Sequence, residues 1–170
     1  IQLSSELAMG DEHPSWGKHW YGATLRNIID SGQVDAKNVV VAGIHGLQEA
    51  DEVDRAKNAG VTVLPLNAVR EKGMKATAEQ ALEVAGNGTD SVYLSFDIVA
   101  VDPGYAPGQG AVMVGGLTAR ELLQLVRELG SPQIGAMDGV GVAPSWDLGG
   151  RAQQLAAEAI IEVIAPRVFQ

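Results

Sequence analysis

Short apolar runs alternate with longer segments of mixed polarity along the whole chain. The run at residues 38–44 (NVVVAGI) is rich in β-branched side chains, which is typical of a strand that is buried on both faces. Similar runs of strand length recur along the sequence. Together they predict five strands, at residues 1–7, 38–44, 61–66, 91–98 and 133–143.

Helices are predicted between these runs, where apolar residues recur at helical spacing. Gly60 and Gly130 are each placed to end a helix. Thr77 and Thr118 are each followed three residues later by Gln or Glu, which predicts a capping box at the start of a helix. The predicted helices span residues 21–30, 49–59, 77–85, 118–129 and 151–164.

Alternating strands and helices predict the α/β class, with three layers (α/β/α) around a mainly parallel sheet of about five strands. A chain of 170 residues with 46% apolar content is expected to form a single domain over residues 1–170. The irregular segments at residues 9–20, 101–116 and 143–150 each follow a predicted strand. Because ligands bind at the carboxyl ends of strands in open α/β sheets, we expect these segments to share one site.

Composition excludes several classes of function. The net charge of −9 leaves no basic surface for nucleic acid or for anionic membranes. No apolar run is long enough to cross a bilayer. The absence of cysteine excludes a disulfide framework, a thiolate nucleophile and a cysteine-based zinc site. We therefore expect a cytoplasmic protein with a small-molecule partner and no nucleic-acid or membrane partner.

Residues 95–121 read SFDIVAVDPGYAPGQGAVMVGGLTARE, a strand that runs into an Asp-Pro turn, a glycine-rich loop and a capped helix. This stretch resembles the signature of the arginase and agmatinase superfamily, the manganese ureohydrolases. Residues 19–26 (HWYGATLR) and 137–147 (MDGVGVAPSWD) resemble two further segments of that superfamily. The resemblance covers nearly the whole chain in the order of the C-terminal half of such an enzyme, so we expect residues 1–170 to be part of a longer fold.

The resemblance also implies an activity and a topology. The activity is the hydrolysis of a guanidino or amidino C–N bond at a binuclear manganese site. In the arginase-like sheet, the five strands of this chain are expected side by side in the order fifth, fourth, first, second, third. One edge strand of such a half-fold has no partner, which leads us to expect a homo-oligomer or a complementing chain.

The resemblance implies metal ligands at residues 97 and 99 and, along the first strand and just after it, at positions 4, 6 and 8. Asp97 keeps a carboxylate, and Glu6 stands where the superfamily has histidine, so these two residues are the candidate metal ligands. The other ligand positions carry Ser4, Ala8 and Val99, whose side chains are not normal manganese ligands.

Catalytic and substrate positions are carried over in the same way. Tyr21 occupies the place of the proton-shuttle histidine, and His19 is close to it in sequence. The glutamate that recognises the guanidino group falls at Gly141. Asp138 matches a superfamily aspartate and is expected to support its loop through backbone hydrogen bonds. Trp146 is one of several loop aromatics placed to line a pocket or an interface.

Three functions remain open from the sequence. The first is a ureohydrolase-fold domain whose own site is degenerate and not catalytic. The second is an active, metal-dependent amidinohydrolase that uses Glu6 and Asp97 with altered or partner-supplied ligands. The third is a module that uses the aromatic loops to bind a small ligand or a protein.

Overall fold

The computed structural model describes residues 1–168 of the chain. Within them, five strands form one sheet: β1 (Gln2–Leu3), β2 (Val40–Ile44), β3 (Thr62–Pro65), β4 (Val92–Asp97) and β5 (Ile134–Val140). Every pairing is parallel, and the spatial order is β3-β2-β1-β4-β5. The parallel α/β sheet and the strand order that the resemblance implied are both confirmed.

Six α-helices accompany the sheet within the same residues: α1 (Thr24–Asp30), α2 (Ala50–Ala59), α3 (Leu66–Lys72), α4 (Met74–Gly86), α5 (Ala119–Leu129) and α6 (Arg151–Val168). The sequence did not predict α3, because its first residue, Leu66, continues the apolar run of β3. None of the helices within residues 1–168 combines the length and the hydropathy that a bilayer crossing requires.

The start of α4 corrects one prediction. The helix begins at Met74, directly after Gly73, so Thr77 lies inside its first turns rather than at its cap. The Thr77 side chain is buried, and its hydroxyl has no hydrogen-bond partner among the described residues. At α5 the predicted capping box is confirmed. The Glu121 N–H donates to Thr118 Oγ1 at 3.1 Å, and the Thr118 N–H donates to Glu121 Oε2 at 2.7 Å.

The first strand is shorter than the apolar run predicted. After Leu3, the Ser4 N–H still donates to the Ala42 carbonyl at 3.1 Å. The chain then bends, because the Glu6 N–H donates to Ser4 Oγ at 3.2 Å instead of to a neighbouring strand. A side-chain acceptor therefore replaces the strand pairing from this point and turns the following residues out of the sheet.

The two faces of the sheet are covered unequally. On one face, the large apolar cluster packs Leu3 of β1 and Phe96 of β4 against α3, α4, α5 and α6. On the other face, a smaller cluster packs Val41 of β2 beneath α1 and α2, through residues such as Leu25 and Ala56. That smaller cluster contains no residue of β4 or β5.

The second face of β1, β4 and β5 is therefore open among the described residues. Gln2, Ser95 and Asp138 lie side by side on it, as the pairing register of the three strands shows. Tyr93 of β4 also lies on this face and is 53% exposed. Parallel sheets are normally covered on both faces, so this open face is the place in the fold where a ligand or another polypeptide has room to bind.

We predict opposite effects for the same substitution at the two threonines. Thr118→Val removes the capping acceptor of α5 and should lower the free energy of unfolding by about 1 kcal/mol. Thr77→Val removes a buried hydroxyl that has no partner, and it should be neutral or stabilising by up to about 1 kcal/mol. Urea denaturation of both variants measures the difference. Equal destabilisation by the two substitutions would contradict the assigned start of α4.

Candidate functional site

A cavity of about 1070 Å³ lies on the open face of the sheet, between Asp97 at the carboxyl end of β4 and Ser91 just before its amino end. Six residues that the sequence placed at ligand, shuttle or substrate positions line it: Ser4, Glu6, Ala8, Tyr21, Asp97 and Asp138. The fold thus brings β1, its following loop, β4 and β5 to one cavity, and Glu6 and Asp97 lie at its end near the carboxyl ends of the strands, where ligands bind in such sheets.

Asp97 is the best anchored of these side chains. It ends β4 and caps the short 3-10 turn Ile98–Ala100, with Oδ1 accepting from the Val99 N–H at 3.0 Å. Its other oxygen, Oδ2, accepts a long hydrogen bond of 3.4 Å from Ser4 Oγ. Both oxygens therefore have a donor within the chain itself.

The surroundings of Asp97 disfavour its charged form. The pKa of Asp97 is raised from 3.8 to about 6: burial and the charges of Glu6 and Asp138 raise it, whereas the hydrogen bonds from Val99 and Ser4 lower it. Burial is the largest of these causes, since it removes water from the carboxylate. At pH 7 roughly one Asp97 side chain in ten is therefore still protonated.

Gly141 lies directly against Asp97. Its φ of 82° is in the left-handed region, and a Cβ built on it would overlap Asp97 Oδ1. In this conformation, the position where the resemblance implies a guanidino-recognising glutamate has no room for any side chain. Asp97 and Gly141 thus pack against each other where β4 and β5 end.

Glu6 is the second carboxylate of the candidate metal pair. It is half-buried, and its carboxylate has no hydrogen-bond or ion-pair partner among the described residues. The negative charge of Glu6 repels the charged form of Asp97 and so helps to raise the pKa of Asp97. Glu6 is thus the side chain at this end of the cavity with free acceptor oxygens for a cation.

The remaining implied ligand positions carry no donor for manganese. Val99 is 4% exposed and does not line the cavity. Ala8 lines the cavity with a methyl group, and its φ of 53° is unusual for a residue with a Cβ. Across residues 1–168, no three His, Cys, Asp or Glu side chains are grouped closely enough to hold a metal ion together. The residues present do not fit a two-manganese centre.

Asp138 forms hydrogen bonds with the neighbouring strand β4 rather than with the backbone of the loop after β5. Asp138 Oδ2 accepts from Tyr93 Oη at 2.7 Å, and Oδ1 accepts from Ser95 Oγ at 2.8 Å. The hydrogen bond to Asp138 also raises the pKa of Tyr93. The expected bonds to the loop backbone are thus replaced by a side-chain bridge across β4 and β5. The sequence analysis missed Tyr93 and Ser95, although they alternate with apolar residues along β4 and so mark its open face.

Two arginines hold the loop that carries the aromatic residues. Arg26 pairs with Asp11 and donates to the Gly10 carbonyl at 3.3 Å. Arg55 donates to the Met9 carbonyl at 2.6 Å and to Asp11 Oδ2 at 3.0 Å. The hydrogen bond from Arg26 lowers the pKa of the Asp11 carboxyl below its usual range, and Arg55 contributes to the same shift. The start of the loop is thereby tied to α1 and α2.

Aromatic rings cluster at the outer end of this loop. His13 stacks on Trp16 with ring centroids 4.2 Å apart, and Trp20 meets Tyr21 edge-on at 5.1 Å. Tyr21 lines the main cavity but is 66% exposed. His19 is exposed and lines a neighbouring shallow depression with Trp20 and Tyr21, outside the main cavity. The structure therefore brings Tyr21 to the site but not His19.

Trp146 lies outside the cavity as well. It belongs to a short 3-10 turn after β5 (Pro144–Trp146), and its side chain is exposed. The neighbouring Asp147 caps α6, accepting from the Ala152 N–H at 3.0 Å and the Gln153 N–H at 2.9 Å. In this structure the segment after β5 positions the start of α6 rather than a substrate-contacting ring.

Comparison with known proteins relates the chain to one family. A sequence profile described as "Arginase family" matches residues 9–165. Guanidinopropionase from Pseudomonas aeruginosa is 33% identical over 96% of this chain and 51% of its own length. Proclavaminate amidinohydrolase from Streptomyces clavuligerus is 35% identical over 92% of this chain and 50% of its own length. The chain thus spans about half the length of these relatives.

Solved structures support the same relationship. The structure of the proclavaminate amidinohydrolase superposes with a TM-score of 0.86 at 32% identity, covering 96% of this chain and 52% of that one. An arginase from Bacillus caldovelox also superposes with a TM-score of 0.86, over 95% of this chain and 59% of that one. At 22% identity, the second match is a likeness of fold alone.

The raised pKa of Asp97 predicts how stability depends on pH. An acid whose pKa is raised on folding, here from 3.8 to about 6, loses its favourable contribution as the pH rises through that interval. Asp97→Asn keeps an acceptor for the Val99 N–H and removes the charge. It should increase the free energy of unfolding by up to about 3 kcal/mol at about pH 8 and have little effect near pH 4. Urea denaturation at both pH values is the measurement; equal destabilisation at both would show that the lost hydrogen bonds outweigh the burial of charge.

A pair of glycines tests the contact between Gly141 and Asp97. Gly141→Ala must accommodate both a left-handed φ and the overlap with Asp97, whereas Gly149→Ala has a similar φ of 76° and no neighbour within 4 Å. We expect Gly149→Ala to lower the free energy of unfolding by about 1 kcal/mol and Gly141→Ala by at least about 2 kcal/mol. Thermal unfolding of both variants gives the comparison. Similar losses at the two positions would contradict the contact.

Proposed function

Because the chain belongs to the arginase family, we propose that it is a ureohydrolase-fold domain that does not assemble a two-manganese centre by itself and is not catalytic alone. Two metal ions about 3.5–4 Å apart each need several oxygen or nitrogen ligands. The observation that carries the proposal is the donor set of the cavity. Of the five positions where the resemblance implies ligands, only Glu6 and Asp97 have carboxylates.

The contacts of Asp97 support the proposal further. In a binuclear site, this carboxylate would offer its oxygens to the metals. Here one oxygen caps the Val99 N–H and the other accepts from Ser4, at a position where the resemblance implies a ligand. Ser4 is thus a partner of Asp97 rather than a neighbouring ligand.

The position where the resemblance implies a substrate-binding glutamate also supports the proposal. A guanidinium is recognised best by a bidentate carboxylate. Gly141 has no side chain and its backbone is pressed against Asp97, so the chain does not supply that carboxylate at the implied position. Asp138, the acidic residue of β5, accepts hydrogen bonds from Tyr93 and Ser95.

A second candidate, an amidinohydrolase with altered or partner-supplied ligands, is favoured by one observation. Glu6 and Asp97 line the same cavity, and the charge of Glu6 acts on Asp97. A carboxylate pair of this kind suits a hard divalent cation, with the missing donors contributed by another polypeptide across the open face. The guanidino and amidino compounds named for the relatives would then be the substrate class.

Elemental analysis together with a urea assay separates the two candidates. We expect protein purified with excess manganese to retain well under one manganese per chain. We also expect it to release no urea from arginine, agmatine or guanidino acids. Stoichiometric manganese with turnover that Asp97→Ala abolishes would establish the second candidate and refute the first.

A matched pair of variants at Ala8 tests the donor argument directly. Ala8→Asn and Ala8→Asp both place a residue that tolerates the left-handed region at a φ of 53°, so each should relieve roughly 0.5–1 kcal/mol of backbone strain. Only Asp adds a third carboxylate at the implied ligand positions, beside those of Glu6 and Asp97. Thermal unfolding with and without manganese should show a metal-dependent increase in melting temperature for Ala8→Asp and none for Ala8→Asn or the parent chain. An equal increase in the parent chain would show that its donors already suffice.

A further inference from the structure

Gln109 is a buried polar side chain in the glycine-rich loop at residues 106–110 (APGQG). Its exposed fraction is 0%, and its amide nitrogen Nε2 donates to two backbone carbonyls, at 2.7 Å to that of Val101 and at 3.1 Å to that of Ile98. A side-chain amide has two N–H groups, so both of its donors are used. One carbonyl begins the 3-10 turn Ile98–Ala100, and the other directly follows that turn. Gln109 therefore holds the turn from inside the core.

The amide oxygen of Gln109 makes no such contact. Oε1 is buried and has no hydrogen-bond partner among the described residues. A buried acceptor without a partner costs free energy, and an apolar side chain of similar length would avoid that cost. What glutamine adds at this position is thus its pair of donors. The Val101 carbonyl depends on them, since no other donor reaches it within residues 1–168.

The glycine-rich loop is also paired with the segment that follows β5. The Gly110 N–H donates to the Gly141 carbonyl at 3.2 Å, and the Ala143 N–H donates to the Gly108 carbonyl at 2.9 Å. These two bonds fix the loop to the backbone that packs against Asp97. The loop therefore has a side-chain attachment to one neighbour of Asp97 and a backbone attachment to another.

Asp97 lies between these two attachments. The Val99 N–H, in the middle of the turn, donates to Asp97 Oδ1 at 3.0 Å. A Cβ built on Gly141 would overlap the same oxygen, so this oxygen has its donor on one side and the Gly141 backbone on another. Gln109 is connected to both, to the turn through its side chain and to Gly141 through its loop.

We infer that Gln109 is the positioning residue of the Asp97 carboxylate. When its two donors are removed, the turn loses its attachment to the loop, and the Val99 N–H is free to move away from Asp97. Gln109 does not line the cavity itself, so the orientation of a cavity carboxylate is set by a side chain behind the cavity wall.

The contacts of Gln109 are independent of the open face of the sheet. Gln109, Ile98 and Val101 are all buried, so these hydrogen bonds do not depend on what covers that face. The inference concerns the orientation of Asp97 whether or not a metal binds there. It therefore does not rest on the proposed function.

Amide hydrogen exchange in Gln109→Met tests the inference. Methionine is similar in length and has no N–H donor. At one fixed pH, exchange of the Val99 amide should accelerate by at least about tenfold more than exchange of the Leu94 and Phe96 amides of β4, because only Val99 loses a hydrogen bond to a charged acceptor. Equal acceleration of all three amides would overturn the inference, since it would show a general loss of stability.

Leu125→Ala is the control for general loss of stability. Leu125 is buried in the large apolar cluster on α5, and its truncation leaves both donors of Gln109 in place. This variant should not accelerate exchange of the Val99 amide more than exchange of the Leu94 and Phe96 amides. A selective effect at Val99 in the control would contradict a specific role for Gln109.

Asp97→Ala separates positioning of Asp97 from general support of the turn. In this background the Val99 amide has already lost its acceptor, so adding Gln109→Met should accelerate its exchange by less than about threefold. A full tenfold effect in the absence of Asp97 would show that Gln109 only stabilises the turn. That result would overturn the inference.

The unaltered chain provides a test that needs no variant, in case Gln109→Met fails to fold. The Nε2 protons of Gln109 and the Val99 amide should be released by the same opening of the structure. Their exchange rates, corrected for intrinsic rates, should therefore depend equally on the urea concentration. Release of the Val99 amide while the Gln109 amide stays protected would show that Gln109 does not hold the Val99 contact.

Discussion

The carboxylate of Asp97 links the end of β1 to the turn after β4 and fills the space beside the end of β5, and the shape of the candidate site depends on it. Ser4 at the end of β1 donates to one oxygen, and the backbone turn after β4 donates to the other. Gly141, just after β5, leaves the space that the carboxylate occupies. The corner where the sheet opens into the cavity is therefore held by a side chain that the family resemblance assigns to metal binding.

The uneven covering of the sheet links this corner to the rest of the molecule. Four helices and a large apolar cluster stabilise one face, whereas α1 and α2 cover only the β2 and β3 side of the other. The cavity and the bridge from Asp138 to Tyr93 and Ser95 both lie in the region that the described residues leave uncovered. The chain spans about half the length of its relatives, and what it shares with them is the arginase fold over that half. The cavity, where only two of the implied ligand positions carry carboxylates, therefore lies on the part of the sheet that no helix of the described residues covers.

The sequence predicted the parts of the fold that depend on local pattern. The β-branched run of β2, the glycine that ends α2 and the capping box of α5 each act over a few residues, and each was found as predicted. The strand order came from the resemblance, since spacing alone does not specify which strands are neighbours. Thr77 shows the limit of such motifs. It has the right partner three residues later, but Gly73 begins the helix one turn earlier and tertiary packing buries the hydroxyl.

The sequence predicted most of the residues that line the candidate site, but it did not predict the contacts that those residues make. The resemblance named Glu6, Tyr21, Asp97 and Asp138, and the fold places all four around one cavity. His19 was a candidate because it is close to Tyr21 in sequence, and Trp146 because it is a loop aromatic; both are exposed and lie outside the cavity. Loop conformation depends on long-range contacts, such as those of Arg26 and Arg55 with Asp11, which a single sequence does not reveal. The close approach of Gly141 to Asp97 and the bridge from Asp138 to β4 are set by the pairing of β4 with β5, which a single sequence does not reveal.

The most direct test of the account is a crystal structure of the protein grown with manganese and measured at the manganese absorption edge. We predict parallel strands in the order β3-β2-β1-β4-β5 and an anomalous difference map without a pair of peaks beside Glu6 and Asp97. Two strong peaks at about 3.5–4 Å from each other beside Asp97 would contradict it, because they would show that this donor set does assemble a binuclear centre.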